Sequence, residues 1–162
     1  MNTINHVIAF TDIGQVEIRE YPMFACDKDK MIIKTDYCAL CTYEQRVFSG
    51  THKAEFPCIL GHEVSGTIIE IGDELKGKWF EVGDKVVVGA NLPCGTCYHC
   101  RTGHAESCPN FKNLKYQPGS PLPGSGAMQE YLMQGPNTVF KYLDTNKENI
   151  WISNPNINFL FF

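Results

Sequence analysis

Four cysteines within fifteen residues constrain this chain more than any other feature. Residues 94–108 read Cys-Gly-Thr-Cys-Tyr-His-Cys-Arg-Thr-Gly-His-Ala-Glu-Ser-Cys, a C-x2-C-x2-C-x7-C spacing. Zinc takes soft ligands at the corners of a tetrahedron with Zn–S distances of about 2.3 Å, and a C-x2-C turn presents two thiolates on one side of a tight loop. Cys94, Cys97, Cys100 and Cys108 together close the coordination shell, which leaves no position for water or substrate and points to a structural zinc. Gly95 and Gly103 let the backbone bend around the ion. Two alternatives stay open. Four thiolates also hold iron–sulfur clusters, and free or disulfide-bonded cysteines could lie this close by chance. A colourless protein with about one zinc per lobe separates the first reading from a brown one.

The chain carries eight cysteines in all, an even number that would suggest disulfides in a secreted protein. Met1 to His6 contains no basic segment followed by a long apolar run, and Val7 to Phe10 is too short for a signal peptide or membrane helix. A cytoplasmic location with reduced thiols is therefore expected, and metal ligation outranks cross-linking. With 14 basic against 18 acidic residues and no long run of like charge, neither nucleic acid nor a membrane fits as main partner. A small-molecule partner fits better.

Most of the periodic segments are strands. Val7 to Phe10 and Val16 to Arg19 flank Gly14, so residues 6–20 predict a hairpin. Further strands are predicted at Lys30–Tyr37, Val64–Ile71, Lys85–Val88 and Ala127–Met133, separated by Gly, Pro and Asp. Helical signals are confined to Thr42–Phe48, a short piece at Cys97–Thr102, and a capping box, Thr145 with Glu148, that would start a helix at Asn146. Asn154-Pro155 would stop that helix, and Asn158 to Phe162 form an apolar tip that needs a covering surface.

Cys41 follows the third predicted strand, and His62 stands in Gly61-His62-Glu63 just before the fourth. Alone, a histidine there reads as a structural residue. Three separate pieces fall in one order, however: Cys41 with Gly50, then Gly61-His62-Glu63-Val64-Ser65-Gly66 with Gly72, then Val82-Gly83-Asp84-Lys85-Val86 ahead of the cysteine lobe. With Gly126-Ala127-Met128-Gln129-Glu130-Tyr131, this order resembles the zinc-containing alcohol dehydrogenases of the medium-chain dehydrogenase/reductase superfamily over residues 5–145. The resemblance implies a mostly β GroES-like barrel with a zinc-stapled lobe and a few short helices. It implies a domain over residues 1–145, a lobe at 92–110, and a truncated crossing segment or atypical tail at 146–162. It also implies a catalytic zinc with Cys41 and His62 as ligands and Glu63 beside the metal as a neighbouring or exchangeable ligand. A thiolate, an imidazole and a carboxylate suit zinc with an open position, where a small alcohol or polyol would bind and lose hydride to NAD or NADP. A homo-oligomer is compatible with the family.

Several positions depart from the family. Where it carries Ser or Thr and then Asp, this chain has Tyr43 and Glu44, with Thr42 one place early. Tyr43 can pass a proton but would reshape the substrate pocket. Glu44 keeps a carboxylate able to orient His62, on a longer arm. Arg46 stands where some members have a relay histidine and is a poor proton carrier. Pocket lining or surface pairing is an equal reading of Tyr43 and Arg46. No G-x-G-x-x-G occurs, so a nicotinamide-binding Rossmann domain is absent from these residues, and Asn154-Pro155 stands where a third zinc ligand often comes. The expectation is a catalytic domain inactive by itself, or alternatively a zinc-stabilised binding or vestigial module. Cys38 reads as a buried small hydrophobe, although Cys38 and Cys41 form a C-x-x-C pair. Cys26 and Cys58 have no partner at ligand spacing, and His6, His52, His99 and His104 read as loop or lobe-surface residues.

Overall fold

The computed structural model describes residues 4–89, 94–110, 119–141 and 158–161. In chain order the elements are β1 (Ile4–Asp12), β2 (Gln15–Pro22), β3 (Met31–Leu40), α1 (Thr42–Phe48), β4 (Cys58–Ile59), β5 (Val64–Ile71), β6 (Lys85–Val88), α2 (Tyr98–Arg101), β7 (Tyr131–Gln134), β8 (Val139–Lys141) and β9 (Asn158–Phe161). Strands dominate, as the sequence predicts, and the hairpin, β5, β6 and α1 lie where their patterns place them. The helix expected from Asn146 lies outside the described residues. None of the described helices is long and apolar enough to cross a membrane.

Two sheets enclose the core. One has the order β2-β1-β4; the other runs β7-β3-β5-β6-β8, with β9 also on β3. The β1–β2 turn closes at Gly14, whose φ of 71° is one that L side chains rarely adopt. β3 is the hub: Met31, Ile32 and Ile33 are all buried, so its sequence reads as a continuous apolar run instead of an alternation. Val7, Ile33, Ile59, Ile68, Val86, Met128 and Leu132 fill the space between the sheets. Each such side chain contributes roughly 1.5–3 kcal/mol over leaving it exposed.

The predicted strand Ala127–Met133 is shorter than expected, and its cause is a stitch between the sheets. The Met128 carbonyl accepts from Ile8 N (2.9 Å), Met128 N donates to the Leu60 carbonyl (2.8 Å), and Glu130 N donates to the His6 carbonyl (2.9 Å). Thr35 Oγ1 donates to the Gln129 carbonyl (2.7 Å), and the buried Asn5 amide to Gln129 Oε1 (2.8 Å). Regular pairing with β3 begins only at Tyr131. Cys58–Ile59 and Val139–Lys141 were too short to stand out in the sequence. The apolar tip forms β9, antiparallel to the end of β3 from Tyr37↔Phe161 to Leu40↔Asn158.

Candidate metal centres

β3 delivers the chain into α1 through Cys41. This cysteine is the N-cap of the helix: its thiol accepts from Tyr43 N (3.2 Å), while Cys41 N donates to Glu44 Oε2 (3.0 Å). The result is a capping box with a thiol in place of the usual hydroxyl. Glu44 is only 1% exposed, and its other oxygen, Oε1, faces the Gly61-His62 turn. There it accepts from Gly61 N (3.3 Å) and lies 3.0 Å from His62 Nδ1. The turn needs glycine, since Gly61 has φ 91° and a Cβ would lie 2.8 Å from both Cys38 Sγ and Met128 Cγ. Ala39 N donates to the Glu63 carbonyl (2.8 Å), tying the turn back to β3.

Because Glu44 accepts at Nδ1, the Nε2 face of His62 is left toward Cys41, whose Sγ lies 3.5 Å away. Glu63 Oε1 is 3.9 Å from the same nitrogen. Donor atoms of Cys41, His62 and Glu63 all lie within 4.8 Å of one another. Glu63 Oε2 is buried without a hydrogen-bond partner among the described residues, a state that costs about 1–3 kcal/mol unless a cation or donor relieves it. The Glu44 hydrogen bond raises the His62 pKa against the opposing effect of burial. For Glu44, burial pushes upward, but the His62 and Cys41 hydrogen bonds and the imidazolium charge leave the carboxyl below its ordinary value. Burial, followed by the Glu44 carboxylate, raises the Cys41 thiol, and a cation bound beside it would favour the thiolate.

Around this cluster, Tyr43 is 37% exposed and its ring packs edge-on between His52 (5.1 Å) and His62 (6.0 Å). No local pattern marks the His52 contact, because loop 49–57 brings that residue back to α1. Arg46 points to solvent and contributes its carbonyl, which accepts from His52 N (3.0 Å). Cys38 is buried, and burial, with the nearby Glu44, Glu63 and Cys41 charges, pushes its thiol up to about 12. Cys58 is buried in β4, and half-buried Cys26 donates to the Lys30 carbonyl (3.5 Å). His6 departs from the loop reading. It sits in β1, with Nδ1 2.8 Å from Glu130 and Nε2 3.5 Å from Glu20.

The second cluster is local. Cys97 caps α2, and Cys94, Cys97, Cys100 and Cys108 converge with sulfur separations of 4.0 Å (94–100), 3.5 Å (97–100), 3.8 Å (97–108) and 3.6 Å (94–108). A zinc tetrahedron with Zn–S of about 2.3 Å has S···S edges of about 3.8 Å, whereas a disulfide needs about 2.05 Å. All eight cysteines are free. Amide and hydroxyl donors of Thr96, the Cys97 amide and Asn110 bring Cys94 down to about 5, while burial and the neighbouring thiols push Cys100 up to about 12. The packed sulfurs resist ionising together without a cation, and these donor types and distances suit zinc.

Residues 27–144 match the alcohol dehydrogenase GroES-like domain. The chain is 42% identical over 93 residues to an acryloyl-coenzyme A reductase of Sulfurisphaera tokodaii, covering 57% of this chain and 27% of that protein. It is 31% identical over 137 residues to alcohol dehydrogenase 1 of Caenorhabditis elegans, covering 82% of this chain and 37% of the relative. Among solved structures, galactitol-1-phosphate dehydrogenase of Escherichia coli superposes with a TM-score of 0.71 at 25% identity, over 86% of this chain and 38% of the other. An NADP-bound zinc-binding dehydrogenase of Sinorhizobium meliloti shares the fold, with a TM-score of 0.69 at 20% identity over 88% and 39%. The chain thus spans less than two fifths of the length of each of these relatives. By its matched residues and its two-sheet barrel, it belongs to the family of alcohol dehydrogenase GroES-like domains.

Proposed function

We propose that this chain is the zinc-binding catalytic domain of an NAD- or NADP-dependent alcohol or polyol dehydrogenase. Residues 1–145 form that domain, residues 92–110 its structural zinc lobe, and residues 146–162 a crossing segment or atypical tail that includes β9 on β3. The observation that carries the reading is the convergence of Cys41, His62 and Glu63 donor atoms within 4.8 Å, backed by a buried carboxylate on His62. A zinc ion bound there would polarise an alcohol oxygen and lower its pKa, so that hydride can leave for the nicotinamide.

The remaining roles belong to the chain's own residues. Glu44 fixes the tautomer and the direction of His62 through Nδ1, as carboxylates behind metal-binding imidazoles do. Cys41 is aimed by its capping position and Glu63 by the backbone bond to β3. The exposed Tyr43 ring stands 6.0 Å from His62, where it would limit the width of an alcohol bound beside the imidazole. Cys94, Cys97, Cys100 and Cys108 hold a second, closed zinc with no part in the chemistry. Reduced thiols at both sites suit a cytoplasmic setting.

Metal analysis tests the assignment. Purified chain should contain two zinc ions, of which Cys97→Ser removes one and Cys41→Ser the other. Alcohol-dependent reduction of NAD or NADP, assayed in the polypeptide that carries the nucleotide-binding half, should vanish in His62→Ala. A single zinc, lost only on lobe substitution, would instead support the non-catalytic zinc-stabilised module.

A further inference from the structure

The outer edge of β2 has no strand beside it among the described residues, because the sheet order ends at β2. Its sequence, Gln-Val-Glu-Ile-Arg-Glu-Tyr-Pro, carries charges at Glu17, Arg19 and Glu20, but no lysine and no bulge interrupt it, and the proline comes only at its end. Ile18 is 76% exposed and Val16 49%, while Ile13 at the adjoining turn is 56% exposed.

The hydrogen-bonding phase of that edge follows from β1. Ile8 N donates to Met128, and the His6 carbonyl accepts from Glu130, so the even-numbered residues of β1 point their peptide groups away from β2. The odd-numbered residues must then bond β2, which in the observed register are Val7 with Arg19 and Ala9 with Glu17. It follows that Val16, Ile18 and Glu20 direct their N–H and C=O groups outward.

We propose that this edge joins a second copy of the chain across a two-fold axis at Ile18, making one sheet continuous through both barrels. Antiparallel pairing centred there sets Ile18 opposite Ile18, and Val16 opposite Glu20, all with outward-facing peptide groups. About six main-chain hydrogen bonds form in that register. The alternate positions set Glu17 of each copy opposite Arg19 of the other, in the closely spaced pairs where Cα atoms lie about 4.5 Å apart. Glu17 and Arg19 are already an ion pair at 2.9 Å within one strand, so the dimer carries four alternating charges on one face. The isoleucines meet on the opposite face. A register shifted by one residue would leave the outward groups unpaired, and one shifted by two would oppose Glu17 with another Glu17 or Arg19 with another Arg19. The charge pattern therefore selects the same register as the hydrogen bonds, and it selects an identical strand as partner.

The interface is small, which places it at the weak end of specific contacts. Sedimentation velocity on the full 162-residue chain, up to about 1 mM, is sufficient to populate a millimolar complex. The unaltered chain should dimerise reversibly. Ile18→Lys, Glu17→Arg and Arg19→Glu should each raise Kd at least tenfold while retaining zinc and circular dichroism, since these side chains are at least partly exposed. An equal mixture of Glu17→Arg and Arg19→Glu should recover a heterodimer, because each now presents the complement of the other, and the double reversal in one chain should recover a homodimer. A chain that stays monomeric at 1 mM overturns the proposal. So does a dimer indifferent to all three single substitutions, or one weakened by Ile18→Lys but blind to charge and not rescued by mixing.

Discussion

Glu44 is the residue whose loss should be felt in both the fold and the metal site. It is 1% exposed and serves three partners: Cys41 N at 3.0 Å, Gly61 N at 3.3 Å and His62 Nδ1 at 3.0 Å. Substitution by alanine removes half of the α1 capping box, worth about 0.5–2 kcal/mol. It also leaves the buried Gly61 N–H without an acceptor, at about 1–3 kcal/mol. Together these predict a loss of about 3 kcal/mol in urea unfolding followed by circular dichroism. Glu44→Gln preserves the volume but offers one acceptor oxygen where two are used, so its loss should be about half as large. Without the carboxylate behind Nδ1, His62 is free to turn, and zinc affinity at Cys41, His62 and Glu63 should fall 10- to 100-fold in competition with a chromophoric chelator. Lobe zinc should be retained. Alanine and wild-type chains that agree within about 0.5 kcal/mol, with unchanged zinc affinity, would refute the account of Glu44 as the common support.

Cys97→Ser should release one zinc and accelerate amide exchange across residues 94–110 while the barrel stays protected, whereas Cys41→Ser should lose the other zinc with little change in melting temperature. Gly61→Ala should cost about 2–5 kcal/mol by thermal or urea unfolding: about 1–2 for a side chain at φ 91° and about 1–3 for overpacking against Cys38 and Met128. His6 is held above its ordinary value of 6.5 by its hydrogen bond to Glu130, against an opposing burial effect, with the charges of Glu130 and Glu20 adding to the rise. The charged pair therefore stabilises the fold fully below pH 6.5 and ceases to do so as pH climbs through the raised value. His6→Ala should accordingly lower the melting temperature at pH 5.5 more than at pH 8.5.

The strands legible from sequence were those whose pattern is set by burial alone. Val64–Ile71 and Lys85–Val88 carry β-branched residues and are bounded by glycine and aspartate, and their limits agree with the observed strands. Residues 127–130 looked like the same kind of segment but spend their peptide groups on Ile8, Leu60, His6 and Thr35, partners 90 or more residues away in most cases that no local pattern reveals. Cys58–Ile59 and Val139–Lys141 are strands only because a neighbour lies alongside. The Cys41 capping box had a readable signal, since Cys41 and Glu44 hold the spacing of the Ser/Thr-x-x-Glu motif. A thiol in the first position concealed it.

The two metal centres differ in how they depend on the rest of the molecule, and this difference explains their unequal legibility. Every donor of the lobe lies within fifteen residues, the turns between them are closed by main-chain bonds such as Arg101 N to the Cys97 carbonyl (3.1 Å), and their ligand spacing is visible in the sequence itself. Such a site can form wherever the lobe is attached and contributes to folding by closing a segment that buries little. Cys41 and His62 are twenty-one residues apart, and no local ligand spacing fixes their distance. That distance is set by β3 and β5 pairing through Cys38↔Val64, by the Ala39–Glu63 bond, and by Glu44 reaching from α1 to the turn. The Cys41, His62 and Glu63 donors are thus brought together by the barrel, and anything that loosens the end of β3 moves Cys41 against His62. β9 lies antiparallel to that same end of β3, at Tyr37 to Leu40, so it braces the strand from which the metal site is aimed.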